Sequence, residues 1–240
     1  MSCELTIDRA REVLQIHGGV LKSGKHTQTE NCDLCVRELR AIACEIEYSD
    51  HPDGHTASAT DRACQLLNDA AWPGDADRTR CCLPLALLSE ETAPAKWAER
   101  YAELTIRYVV PMALRSAASV HPDQSHKDEM ELIAVTCEQN GTKDAARAAY
   151  AAADAAADAA YATNAARAAY AAANAAADAA YATNAADAAD AAADAAAYAA
   201  NAAEILQSLI MGVTVLLMAH NREDLIDWPN PCLPTHNKHA

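Results

Sequence analysis

The chain reads as all-α: a multi-helix bundle whose C-terminal part is a close-packed array of alanine-rich helices. Three observations predict this class. Phe is absent and Gly numbers only 7 in 240 residues, so a common β-former and the usual turn punctuation are missing. Alanine, the best helix former, dominates from Arg147 onward. In the first half, apolar residues recur at steps of three and four, the spacing of one helix face.

Thr6 reads as the N-cap of a first helix with Ile7, Ala10, Val13, Leu14 and His17 on one face, stopped by Gly18-Gly19. A polar loop follows. The stretch Cys32 to Ile46 predicts a second helix with Leu34, Leu39, Ile42 and Ile46 as its apolar stripe. Ser49 to Thr60, SDHPDGHTASAT, is too dense in Pro, Gly and capping residues for regular structure and reads as a long loop. A third helix is expected over Asp61 to Ala71, then a turn at Trp72-Pro73-Gly74-Asp75. Asp75 or Asp77 caps the next helix, which Pro84 kinks or ends. Thr92, with Pro94 just inside, opens a long helix reaching Ala118, interrupted where Pro111 removes a donor. A further helix, Asp123 to Glu138, stops at Asn140-Gly141, and Thr142 caps its successor.

From Arg147 the chain changes character. RAAYAAADAAADAAYATNAA occupies residues 147–166 and returns at 167–186 with Asn174 in place of Asp154; a degraded third copy runs to Glu204. Such near-identity marks tandem duplication and a segment tolerant of length change. Arg147, Tyr150, Asp154, Asp158 and Tyr161 follow at steps of 3, 4, 4 and 3, one stripe on one face. Between Tyr161 and Tyr170 the steps are all 3, which turns the stripe by roughly 60° at each step. Either the helix breaks at Thr163-Asn164 and Thr183-Asn184, or one helix of about 90 Å carries a winding stripe. Thr and Asn cost only about 0.7 kcal/mol each against alanine, which favours continuity. A long unpacked rod buries little, and this consideration tips the balance to breaks. Alanine faces let helix axes approach below the usual roughly 8–10 Å. Tyr150, Tyr161, Tyr170, Tyr181 and Tyr198 are then expected to supply the large core contacts, with hydroxyls at the rim.

A net charge of -15 with a pI near 4.9 opposes direct binding to nucleic acid, which needs clustered Lys and Arg. A basic or apolar partner is favoured, although an acidic surface also serves simply to keep an alanine-rich protein in solution. Nine cysteines, odd in number and unevenly spaced, with no apolar signal segment from Met1 to Leu5, suggest a reducing, intracellular compartment with disulfides in the minority. The apolar run Ile205 to Ala219 is interrupted by Gln207, Ser208 and Thr214. It is too short for a membrane span, which needs about twenty residues, and suits a buried core helix.

One motif has metal-ligand spacing. Cys32-x₂-Cys35 and, fifteen residues on, His51-x₃-His55 place two thiolates and two imidazoles at intervals that can close a tetrahedron around zinc; Cys44 and His26 are nearby further donors. The plain alternative is that Cys32 and Cys35 are partly buried and the histidines are loop residues. No phosphate-binding glycine loop, GxSxG or HExxH is present. Asp50-His51 is a base-like pair without a nucleophile, and the adjacent Cys81 and Cys82 are expected to face different ways on a helix. The repeats also resemble the type I antifreeze proteins, whose ice-binding threonines share one face. Thr163 and Thr183, twenty residues apart, point about 200° apart on a helix.

Three stretches carry a broader likeness: EYSDHPDG from Glu47 to Gly54, LLNDAAWPGDADRTRCCLPLALL from Leu66 to Leu88, and WAERYAELTIRYVVPMAL from Trp97 to Leu114, ahead of an alanine-rich array. Together they resemble a loosely defined family of alanine-rich helical proteins of bacteriophages and high-GC bacteria, some described as immunity proteins. The resemblance implies an all-helical fold and a location in the bacterial cytoplasm or the virion. The repeats here are more uniform than that family's usual mix of Ala, Trp and Arg.

The expected organisation is a helical N-terminal domain over 1–141, alanine-rich helices over 142–220 and an irregular tail over 221–240. With no catalytic motif, the leading reading is a non-enzymatic binding or structural protein presenting a helical surface to a protein partner or to copies of itself. The rivals are a zinc protein using Cys32, Cys35, His51 and His55, and an acidic decoy of a nucleic-acid-binding protein.

Overall fold

The computed structural model describes residues 5–24, 26, 33–46, 58–160, 164–181 and 202–226. Among these are nine α-helices and no strand: α1 Ile7–Ile16, α2 Val36–Ala43, α3 Ala59–Asp69, α4 Asp75–Cys82, α5 Trp97–Val120, α6 Gln124–Asn140, α7 Lys143–Ala159, α8 Asn164–Tyr181 and α9 Ala202–Ala219. The fold is all-α, as the composition predicts.

Local signals set most helix ends. Thr6 accepts from the Arg9 amide at 3.3 Å and opens α1. After Ile16 the chain turns through Gly18 at φ +90°, and the Gly19 amide donates to Leu14 O at 2.8 Å. Asp123 caps α6 through the Ser125 amide, and Thr142 caps α7 through the Ala145 amide. α6 ends at Asn140 with Gly141 in the left-handed conformation at φ +61°, the stop expected of Asn-Gly.

Other boundaries move. α2 begins four residues after Cys32 and ends before Ile46, because Cys35 serves as its N-cap and the Cys35 amide donates to the Glu38 carboxylate at 2.8 Å. α3 starts two residues early, capped by Ser58, whose hydroxyl accepts from the Asp61 amide. Gly74 rather than Asp75 or Asp77 precedes α4, and Pro84 converts its end into a 3₁₀ turn over Leu83–Leu87. Thr92 does not open α5. Residues 90–92 form a 3₁₀ turn, Lys96 turns the chain at φ 63°, and the helix begins at Trp97. Nor does Pro111 interrupt it: α5 continues for 24 residues. An internal proline costs about 3 kcal/mol or more, and burial of Val109, Val110, Ala113 and Leu114 around it offsets that cost.

α5 is the spine. Helices α6, α7, α8 and α9 all pack on it, α6 also lies against α7, and α7 against α8. At the other end, α1, α2, α3 and α4 gather around the Leu83–Leu87 turn, and α9 reaches both α3 and α4. A single cluster of buried apolar side chains runs from Leu5 to Leu225.

The repeat is broken where the stripe changes phase. α7 ends at Ala159 and α8 begins at Asn164, and the two helices, of 17 and 18 residues, pack side by side. With only four residues between them they run antiparallel. A 90 Å rod is therefore excluded for the first two repeats; Thr183 and Asn184 lie outside the described residues. The contact surface is almost pure alanine: Ala146, Ala149, Ala153, Ala156 and Ala157 on α7, and Ala169, Ala172, Ala175, Ala176 and Ala179 on α8, have no exposed surface.

The tyrosines depart from expectation. Tyr150 is 40% exposed and Tyr170 41%, so neither is a core residue. Tyr150 shares its stripe with Asp154 and Asp158, and because carboxylates resist burial the stripe turns outward from Arg147 to Asp158. The interior keeps the methyl groups, which pack without room for a ring. Tyr170 donates to Asp158 Oδ1 at 3.1 Å and ties α8 to α7 across this outer face. Among the tyrosines of the array, Tyr161, Tyr181 and Tyr198 have side chains outside the described residues.

No helix among the described residues is long and apolar enough to cross a membrane. Leu209, Val215 and Leu216 of α9 have no exposed surface, in keeping with a core helix.

Candidate functional site

Of the zinc quartet, Cys32, His51 and His55 lie outside the described residues, as does the Asp50-His51 pair. Cys35 is a free thiol, 2% exposed, at the N-cap of α2. Burial pushes its pKa well up, and the adjacent Glu38 carboxylate adds to the effect. Glu38 itself has no exposed surface. Its oxygens accept from the Cys35 amide, from the His26 amide at 2.7 Å and meet His26 Nδ1 at 2.8 Å. His26 is thus engaged with Glu38. Cys44, the other nearby donor, is disulfide-bonded. Among the described residues no group of three or more His, Cys, Asp or Glu side chains comes together as a metal site.

The remaining described cysteines, Cys64, Cys81, Cys82 and Cys137, are buried and not in disulfides. Cys81 and Cys82 both face the interior. Burial raises the Cys82 thiol well above its usual value, and Cys137 is raised to about 11 by the same cause. Neither Cys82 nor Cys137 has the depressed pKa of a nucleophile.

A group of charged residues that periodicity does not reveal lies where α2, α3, α5 and α9 converge. Seven of the eight α2 residues are buried, Arg37, Glu38 and Arg40 among them. Arg37 pairs with Asp61, both without exposed surface, and also donates to Leu88 O at 2.9 Å. Arg40 donates to Ala86 O at 3.1 Å. These guanidinium groups satisfy carbonyls that the irregular segment after α4 leaves without helical partners. Beside them, Glu90 Oε2 accepts from the Thr60 amide at 3.0 Å and the Thr60 hydroxyl at 2.7 Å, while Oε1 accepts from Trp97 Nε1 at 3.3 Å. Desolvation opposes the charge on Glu90, but the Thr60 bonds and then the Trp97 bond outweigh it and hold the carboxyl below its ordinary range.

His220 closes the group from the end of α9. Its ring lies 4.3 Å from that of Trp97, the residue is 5% exposed, and Nε2 is buried without a hydrogen-bond partner. Burial lowers its pKa to about 4; Glu90 works against that shift, and Arg37 and Arg222 work with it. This group brings α2 and α3 together with the start of α5 and the end of α9. Its central pair, Arg37 and Asp61, is sealed from solvent and cannot touch a substrate. A sequence signal exists only in retrospect: the α2 segment VRELRAIA is too short to keep three charges dry unless its neighbours supply partners.

Two further features lie outside this group. Between α5 and α9 lies a pocket of about 240 Å³ lined by Met112, Arg115, Ser116, Glu204, Gln207 and Ser208. Ser116 donates to Glu204 at 2.6 Å, and Arg115 is taken up by Glu131 and Glu138. Among the described residues of its lining there is no histidine or cysteine. The second feature is the outer face of the α7–α8 pair, where Tyr150, Asp158 and Tyr170 are exposed above a floor of buried alanine.

Comparison with protein-family models, with curated proteins and with solved structures gives no match.

Proposed function

We propose that this chain is a non-enzymatic binding or structural protein whose alanine-rich helices form a rigid platform for association with a protein partner or with a second copy. The observation that carries the reading is the division of labour in α7 and α8. One side of each helix is methyl groups buried against its neighbours, and the other presents Tyr150 and Tyr170 at 40% and 41% exposure. Tyrosine is the side chain that interfaces favour, combining large contact area with few rotatable bonds. A platform also fits a segment duplicated in tandem, since added repeats extend a surface without disturbing a reaction centre. A bacteriophage or bacterial setting, with the protein in the host cytoplasm or the virion, belongs to the same proposal and rests on the sequence resemblance alone.

The test is light scattering on the full chain during size exclusion, together with recovery of partners on a tagged chain. Association is expected, as an oligomer or as a defined complex, and it should be weakened in Tyr150→Ala/Tyr170→Ala. A monomer that recovers no partner refutes the proposal.

A further inference from the structure

We infer that the partner face of α7 and α8 takes an arginine-rich, cationic protein segment, an inference that rests on the binding function proposed above. Two properties of the face select this occupant. Tyr150 and Tyr170 offer ring surface, at 40% and 41% exposure, on adjacent antiparallel helices. A guanidinium stacks on such a ring while keeping its N–H groups for hydrogen bonds. Carboxylates lie within reach of the same rings: Asp154 and Asp158 follow Tyr150 at four-residue steps, and Asp158 accepts the Tyr170 hydroxyl at 3.1 Å. Ring and carboxylate together bind both the plane and the edge of an arginine side chain.

Charge decides between a cationic partner and a second copy. The chain carries a net charge of -15, so two copies repel whereas a cationic segment is drawn in. The face is not uniformly acidic, because Arg147 and Arg167 are also exposed. Arg147 is paired with Asp144 at 2.7 Å, and the carboxylates of the face are Asp154, one turn from Tyr150, and Asp158, against the Tyr170 hydroxyl.

The experiment titrates the full chain with an eight-arginine peptide and, separately, an eight-lysine peptide at fixed ionic strength. Arginine should bind more tightly than lysine. Tyr150→Ala/Tyr170→Ala should weaken the arginine peptide about five- to thirtyfold, the combined effect of two stacking contacts, and both positions tolerate alanine because the helices are already alanine. Asp154→Asn/Asp158→Asn should weaken both peptides. The control Glu12→Gln/Glu99→Gln, which removes the same charge from exposed positions on α1 and α5, should leave affinity within twofold. Equal weakening by the two charge variants with no effect of the tyrosine variant would show attraction to net charge alone and overturn the inference. So would failure of the arginine peptide to bind. If the chain binds no cationic peptide yet forms an oligomer that Tyr150→Ala/Tyr170→Ala dissolves, the inference fails while the proposed platform function stands.

Discussion

Replacing Gly141 by alanine probes how the end of α6 is built. Gly141 sits at φ +61°, in the left-handed region where an L-residue costs about 1–2 kcal/mol. A Cβ there would also meet Arg107 at 2.5 Å from Nε, 2.8 Å from Cγ and 2.9 Å from Cζ. Arginine is flexible, but this one is held at several points. Its guanidinium donates to Glu138 O, Gln139 O and Asn140 O at 2.9, 2.8 and 3.1 Å, and Nε donates to Glu103 at 3.0 Å. Moving it returns three terminal carbonyls of α6 to water. The group is partly exposed, so water replaces much of what is lost, and about 1–2 kcal/mol is a reasonable total for the three bonds. The sum is about 2–4 kcal/mol. Urea unfolding with an unchanged m-value should show the midpoint falling accordingly. In an Arg107→Ala background the clash disappears, and the Gly141→Ala penalty should drop to the backbone cost of about 1–2 kcal/mol. A single variant within about 0.5 kcal/mol of the parent, or the same penalty in both backgrounds, would refute the reasoning.

Stability should depend on pH through His220. Its folded pKa of about 4 lies below the ordinary 6.5, so between those values the unfolded chain binds more protons; stability is full above pH 6.5 and falls as pH drops towards 4, by about 3 kcal/mol at most. His220→Gln should flatten that part of the curve relative to the parent, and two parallel curves would count against it. Ala153→Leu, at a fully buried α7 position, should cost about 1–3 kcal/mol by overpacking, while Ala155→Leu on the exposed side should leave the melting temperature nearly unchanged. Asp61→Ala should cost roughly 3–5 kcal/mol because it strands the buried Arg37 charge, and Arg37→Met/Asp61→Leu should cost less than that single change. If Cys32, Cys35, His51 and His55 hold zinc, protein purified without chelator should carry about one equivalent, and less than about a tenth ends that reading.

The limits of what was legible follow from the range of the forces involved. Thr6, Thr142 and Asn140-Gly141 mark helix ends because a cap is made by residues three or four apart, and no distant partner can alter that geometry much. The break between α7 and α8 was visible for a related reason, as a phase slip in a repeat that one straight helix cannot absorb. Pro111 misled because its local cost is outweighed by burial contributed from other helices. The tyrosines misled because hydrophobic size alone does not say which face of an alanine helix turns inward; the carboxylates on the same stripe do. Arg37, Asp61 and His220 gave no usable sign, since a charge becomes buried only when residues far along the chain supply its partners.

By itself, then, the sequence determined the all-helical class, the acidic surface and the places where several helices start and stop, because these depend on backbone propensity, ionisation and contacts within a turn. Tertiary structure alone decided that α5 is the common spine, that the alanine faces of α7 and α8 close on each other, and that a buried ion pair, Arg37 with Asp61, joins α2 to α3. Those outcomes rest on which surfaces meet, and burial is a property of the assembled fold that no single segment carries.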